Sequence, residues 1–391
     1  NSSATVTAAN SASLWAGGNV ITSADVNAAA VTIYGGADVA LAEINATTSA
    51  DIDAGDELTL NGEVDATGGA VTIDAGGLIT QNAAIGSDGT ATVAITSRDG
   101  SLDSNDTIDA ATSVAISTGQ DVDLASAINA GTTIGINAGG TVTAAAILNG
   151  NGVTVDGGND VSLVEVAAGT GNADIDGLNI TLAGAVTAAG TIDVAADNSV
   201  TQSGTLTAAD IAVRADTGWI NSSATVTAAN SASLWAGGNV ITSADVNAAA
   251  VTIYGGADVA LAEINATTSA DIDAGDELTL NGEVDATGGA VTIDAGGLIT
   301  QNAAIGSDGT ATVAITSRDG SLDSNDTIDA TASVAITTGE DVDLLSAVTA
   351  GTTIGINAGG TVTAAAILNG AAGVTVDGGS DVSVVEVAAG T

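Results

Sequence analysis

Apolar residues in this chain come in short alternating bursts, and the bursts return about every twenty residues. Leu14 opens the series, followed by Ile33, Ile52, Ile73, Ile95, Ile116, Ile136, Val155, Ile175, Val194 and Val213, and Leu234 restarts it. These eleven intervals run from 19 to 22 residues and sum to 220. An apolar residue often sits two before the anchor, as in Val31/Ile33, Val71/Ile73, Val114/Ile116 and Val153/Val155. A second run begins about six residues later, at Val39/Leu41, Leu58/Leu60, Val122/Leu124 and Val161/Leu163. A third apolar position follows at Val26, Ile44, Val64, Ile85, Ile108 and Ile128. Alternation of period two predicts strands, and pairs such as Gly17-Gly18, Gly35-Gly36, Gly76-Gly77 and Gly139-Gly140 forbid a continuous helix.

Three short strands per twenty-residue coil, repeated without a break, predict an all-β chain folded as a parallel β-helix, or β-solenoid. One coil cannot bury its own apolar face, so the core forms only when coils stack. Parallel pairing sets a rise of about 4.8 Å per coil, which predicts a rod roughly 90 Å long. Tandem immunoglobulin-like sandwiches would need units of roughly 100 residues and longer strands. The period here is too short for them. A larger period lies above the coil: residues 1–110 recur unchanged as residues 221–330. Later positions drift, with Ser117 matched by Thr337, Gln120 by Glu340, Ile128 by Val348, Asn159 by Ser380 and, more boldly, Ala125 by Leu345. The expected organisation is therefore one continuous solenoid over residues 1–391, carrying copies 1–220 and 221–391, the second incomplete. No cap is visible at either end, and the chain starts inside a repeat, which reads as a window on a longer protein.

Composition narrows the core. The sequence lacks Cys, Pro, Met, Phe, His and Lys, and aromatic residues make up only 1% while hydrophobic ones make up 45%. Small and β-branched side chains fit a pleated, layered interior and would leave voids between helices. The formal charge of −44 raises the alternative of disorder, but Val, Ile and Leu recur at fixed places and supply a continuous apolar face. Three Arg and no Lys argue against nucleic acid and against anionic membrane surfaces. No apolar run is long enough to span a bilayer, and no direct membrane insertion is expected.

The phrases Val71-Thr72-Ile73-Asp74-Ala75-Gly76-Gly77-Leu78-Ile79-Thr80-Gln81 and Ile136-Asn137-Ala138-Gly139-Gly140-Thr141-Val142-Thr143 resemble the repeats of filamentous-haemagglutinin-type adhesins. Those are very long proteins exported by two-partner secretion in Gram-negative bacteria. The likeness is one of repeat grammar over nearly the whole chain. It implies a right-handed parallel β-helix, an extracellular or bacterial cell-surface location, and a role in adhesion or reach. The expected partners are then a host or neighbouring cell surface, its glycans, or other copies of the fibre.

Stacking turns equal offsets into columns. The outward position after the anchor reads Trp15, Tyr34, Asp53, Asp74 in the first copy and Arg214, Trp235, Tyr254, Asp273, Asp294 across the second. Arg over Trp over Tyr at one-coil spacing predicts a stacking and cation–π ladder. Trp15, Tyr34, Arg214, Trp235 and Tyr254 are thus candidate ligand contacts, weighed against a purely local staple. Acidic columns are more numerous: Asp25, Glu43 and Glu63 form one, and Asp156, Asp174, Asp176 and Asp193 crowd another region. Like charges at this spacing repel unless bridged, and Ca²⁺ takes six to eight oxygens in flexible geometry. The longest coil offers Asp99, Asp103, Asn105 and Asp106, repeated as Asp319, Asp323, Asn325 and Asp326. These are candidate Ca²⁺ ligands, weighed against solvated acidic faces. They lack EF-hand spacing and the Ca²⁺-binding β-roll nonapeptide, so no cofactor is required.

Two further functions compete with the adhesive stalk. One is a Ca²⁺-dependent surface-assembly module of S-layer or sheath type. The other is a polysaccharide-active β-helix enzyme using paired carboxylates. Against catalysis, the carboxylates recur in both copies instead of forming a unique constellation, and His and Lys are missing. The expectation is a non-enzyme.

Overall fold

Each anchor residue lies beside the anchor of the next coil. In the computed structural model, which describes residues 1–390, Leu14 pairs with Ile33, Ile33 with Ile52, Ile52 with Ile73, and Ile73 with Ile95. The row continues through Ile116, Ile136, Val155 and Ile175. The chain divides into two compact units, Asn1–Val194 and Ala195–Thr391. Each is a stack of parallel coils of about 20 residues, about 19 in all. In the second unit the anchor row runs from Val213 through Leu234, Ile253, Ile272 and Ile293 to Ile315, Ile336, Ile356 and Val376. The described residues contain no helix, so none is long and apolar enough to cross a membrane.

The second and third apolar positions stack in the same way. Val39 lies beside Leu58, and Leu41 beside Leu60. Val26, Ile44, Val64, Ile85, Ile108 and Ile128 form an unbroken column. All of these side chains are buried. At about 1.5–3 kcal/mol per buried Val, Leu or Ile side chain, these columns supply the main favourable term of the fold. The five aromatic side chains stay off the core: Trp15 and Trp219 are exposed, and Tyr34, Trp235 and Tyr254 are half-buried.

The strands differ from the expected three per coil. The third strand of one coil often runs on into the first of the next, giving Val26–Gly35, Ile44–Ala54, Val226–Ala236 and Val246–Gly255. The corner is turned within the strand, by a register shift between Ala28 and Ala30 against the neighbouring coil. Ala28-Ala29-Ala30 bends without a glycine. Where Gly68, with φ +76°, replaces such a run, Val64–Ala66 and Ala70–Ala75 are separate strands.

Glycine at the other corner answers a different need. A Cβ on Gly36 would lie 2.6 Å from the carbonyl oxygen of Gly17, one on Gly55 2.5 Å from that of Gly36, and one on Gly76 2.3 Å from that of Gly55. These glycines form a column because successive coils touch there backbone to backbone.

Candidate functional site

The aromatic column forms as its spacing predicts. In the first unit Trp15 lies beside Tyr34, with ring centroids 5.5 Å apart and planes tilted by 37°. In the second unit Trp235 stacks on Tyr254 at 5.5 Å with only 10° between planes, and the Arg214 guanidinium sits 5.1 Å from the Trp235 ring centroid. Arg214 also pairs with Asp216. Its charge is therefore partly neutralised on its own coil, and the ladder holds itself together.

Below Tyr254 the column continues through Asp273 and Asp294, which are directly paired neighbours. Two carboxylates one coil apart would repel. Arg318 bridges them, with contacts of 2.7 Å to Asp273 and 2.7 Å to Asp294. Arg98 does the same in the first unit, at 3.0 Å to Asp53 and 2.7 Å to Asp74. The hydrogen bond to the Asp74 carboxylate pushes the Arg98 guanidinium pKa upward, and Asp294 does so for Arg318. Arg98 reaches back across two coils, because the paired Asp column offers two charges at once.

In the loop carrying the Ca²⁺ candidates, Asp103 and Asn105 line one groove with Asp123. Asp103 lies on the strand Leu102–Ser104, paired with Thr80 and Asp123, and Asp323 takes the matching place beside Thr300 and Asp343. Asn105 donates to Asn82, which donates to Asn61, in a single-file amide ladder of 3.2 and 3.3 Å. Asn325, Asn302 and Asn281 repeat it. Asp106 and Asp326 each turn back to accept the backbone N–H of the next residue, at 2.8 and 2.7 Å. The Asp99 carbonyl accepts from Gln120, and the Asp319 amide donates to the carbonyl of Gly296. Among the described residues no three Asp or Glu carboxylates are grouped to hold a metal ion.

What organises this loop is a residue to which sequence reasoning assigned no role. Gln81 is completely buried. Its Nε2 donates to the carbonyls of Ala83, Asp106 and Thr107 at 2.9, 3.2 and 3.0 Å, and its Oε1 accepts from Ser104. Gln301 repeats the arrangement with Ala303, Asp326, Thr327 and Ser324. Gln202 makes a third, bonded to Gly204, Ala224 and Ser222. The signal was present as Ile-Thr-Gln at 79–81 and 299–301 and Val-Thr-Gln at 200–202, each placing Gln where the alternation calls for an apolar residue.

A buried acid lies under the next irregular segment. Asp65 is 2% exposed and accepts from the backbone N–H of Asp88 at 3.1 Å and from Ser87 Oγ at 3.4 Å. These donors sit in a turn made by Gly86 and Gly89, both at φ +83° and closed by the antiparallel bridge of Thr67 with Thr90. Burial raises the pKa of Asp65, with its loop donors opposing. Beside it, Glu63 is raised by burial and by the charges of Asp65, Asp88 and Glu43. Its counterpart Glu283 is raised to about 7 by burial and by Asp285. In the region of Asp156, Asp174 and Asp193, burial and the two neighbouring charges raise Asp174.

No protein-family model, curated protein or solved structure matches the chain.

Proposed function

We propose that the chain is a structural and adhesive stalk segment of a long secreted or cell-surface bacterial fibre of filamentous-haemagglutinin type. It gives reach and carries cell–cell or surface attachment, without catalysis. The observation behind this reading is how its outward polar groups are used. The Asn61–Asn82–Asn105 ladder, the Arg98 and Arg318 clamps and the Arg214–Trp235–Tyr254 stack all join one coil to the next. A scaffold whose surface residues fasten neighbouring coils is suited to bearing load along the stack. The acidic surface keeps neighbouring fibres apart and soluble, and attachment then belongs to the few outward positions that break the polar pattern. Beads coated with the chain, presented to a panel of bacterial and host cells, test the adhesive half. Attachment above that of an uncoated control is expected, and binding to neither cells, glycans nor itself would refute it.

A further inference from the structure

Trp219 and Ile241 are large apolar residues at outward positions, and they meet. The position before the second strand reads Asn19, Asp38, Glu57, Leu78, Ser101, Asp121, Thr141, Asp160, Asn179, Ser199 and Trp219 in the first copy, and Asn239, Asp258 and Glu277 at the start of the second. Trp219 is the only aromatic residue in that column. The outward position two further on is Asn221, Ile241, Ala260 and Thr279 in successive coils. Ile241 is the large apolar residue of these four, as Ile21 is at the matching place in the first copy, where Trp219 has no counterpart. Trp219 is 43% exposed and Ile241 42% exposed. They lie on adjacent coils and line one groove of about 490 Å³ with Gly218, Asn221, Gly238 and Asn239.

The groove's chemistry is specific. None of its six lining residues is charged, although the chain carries −44 overall. Its glycines cannot be filled: a Cβ on Gly238 would lie 2.7 Å from the Gly218 carbonyl oxygen, and one on Gly218 2.5 Å from that of Asn198. Coil contact therefore leaves the floor beside the indole bare. Asn239 Oδ1 accepts from the Asp258 backbone N–H, which fixes this side chain in the groove lining. The Asn221 amide has no protein partner among the described residues. This contrasts with Asn82, Asn105, Asn129 and Asn149, whose amides are tied into ladders.

We infer that the Trp219–Ile241 groove is a binding subsite for a neutral sugar ring, with the apolar ring face on the Trp219 indole and hydroxyls on the Asn221 and Asn239 amides. An aromatic platform beside polar groups that fix orientation is the usual make-up of a small-ligand site. Size favours such an occupant over a protein: six lining residues fall far short of the 20–30 per side of a stable protein interface. Charge favours a neutral sugar over an anionic one. Arg214, the nearest cation in sequence, is held by Asp216 and Trp235. For its biological use the subsite rests on the attachment reading above, but its chemistry can be tested separately.

The test titrates the whole chain with neutral oligosaccharides (maltotriose, cellotriose, chitotriose and a galacto-oligosaccharide) and with heparin as the anionic comparison, reading tryptophan fluorescence and calorimetric heat. At least one neutral oligosaccharide is expected to bind, with the signal kept in Trp235→Phe, lost in Trp219→Ala and weakened about tenfold in Asn221→Ala. Circular dichroism and melting of Trp219→Ala should match the parent, since its side chain lies outside the core. No binding by any neutral oligosaccharide, binding that survives Trp219→Ala, or heparin binding alone would overturn the subsite. A change in self-association on Trp219→Ala without sugar binding would do the same and assign the groove to contact between copies. Loss of sugar binding with cell attachment intact would leave the stalk standing and remove only this groove from its function.

Discussion

Ser104 Oγ donates a hydrogen bond to Gln81 Oε1 one coil away, inside a core built mainly from hydrocarbon side chains. The same amide holds the carbonyls of Asp106 and Thr107, so one buried side chain closes the whole acidic loop from beneath. Gln81→Leu would remove one donor from each of these carbonyls and the Oε1 acceptor from Ser104, leaving only the Ser104–Asp106 and Ile85–Thr107 bonds at 3.2 and 3.0 Å, at about 1–3 kcal/mol for any group that ends up dry and unpaired. We expect hydrogen exchange over residues 82–108 to accelerate at least tenfold in this variant, with residues 20–60 unaffected. Unchanged protection in the loop would show that Gln81 does not organise it.

Backbone contact between coils makes a sharper test with glycine. A Cβ on Gly69 would lie 1.8 Å from the carbonyl oxygen of Thr48, whereas a Cβ on Gly135 meets nothing within 4 Å. Gly69→Ala is expected to lower the melting temperature clearly. Gly135→Ala, in the strand Thr133–Ala138 and at ordinary φ, is expected to be neutral or to stabilise by about 0.4–1 kcal/mol. Equal melting of the two variants would contradict the stacking geometry.

Much of this fold was legible because period-two alternation and a fixed twenty-residue return leave few options. Every anchor from Leu14 to Ile175 pairs with its predicted neighbour. The Arg214–Trp235–Tyr254 column followed from the same offset. The strand count did not, because alanine runs such as 28–30 bend without the glycine that marks a break. Gln81 was missed for a related reason: a polar residue at an inward position is readable only when its partners are known, and these lie 2 to 26 residues away. The turn at 86–90 was invisible too, since its shape depends on Asp65 beneath it.

Acidity should stabilise that turn's neighbourhood. Glu283 has a folded pKa of about 7, above its ordinary 4.5, so the folded state holds this proton more tightly than the unfolded chain. Its contribution is fully present below about pH 4.5 and is lost as pH rises through about 7. Glu63 is raised in the same direction by the same causes. The melting temperature should therefore fall between pH 5 and 8, and fall less in the Glu63→Gln/Glu283→Gln double variant. A double variant with the parent's pH slope would remove these two groups as the cause.

Divalent cations give a further check. The carbonyls of Asp106 and Thr107 already accept from Gln81, and Asp106 Oδ1 accepts from Thr107. Ca²⁺ should raise the melting temperature no more than Mg²⁺ at equal concentration, both acting by screening the −44 charge. A Ca²⁺-specific rise that EDTA reverses, and that Asp103→Asn with Asp106→Asn abolishes, would instead establish the surface-assembly reading.

Force spectroscopy on the single chain, pulled from its two ends, tests the load-bearing claim most directly. A coil of about 20 residues extends to about 70 Å when unravelled. The account predicts resistance followed by discrete steps whose lengths are multiples of this value, each step being one or more coils leaving the stack. Smooth extension at low force, without steps, would contradict it.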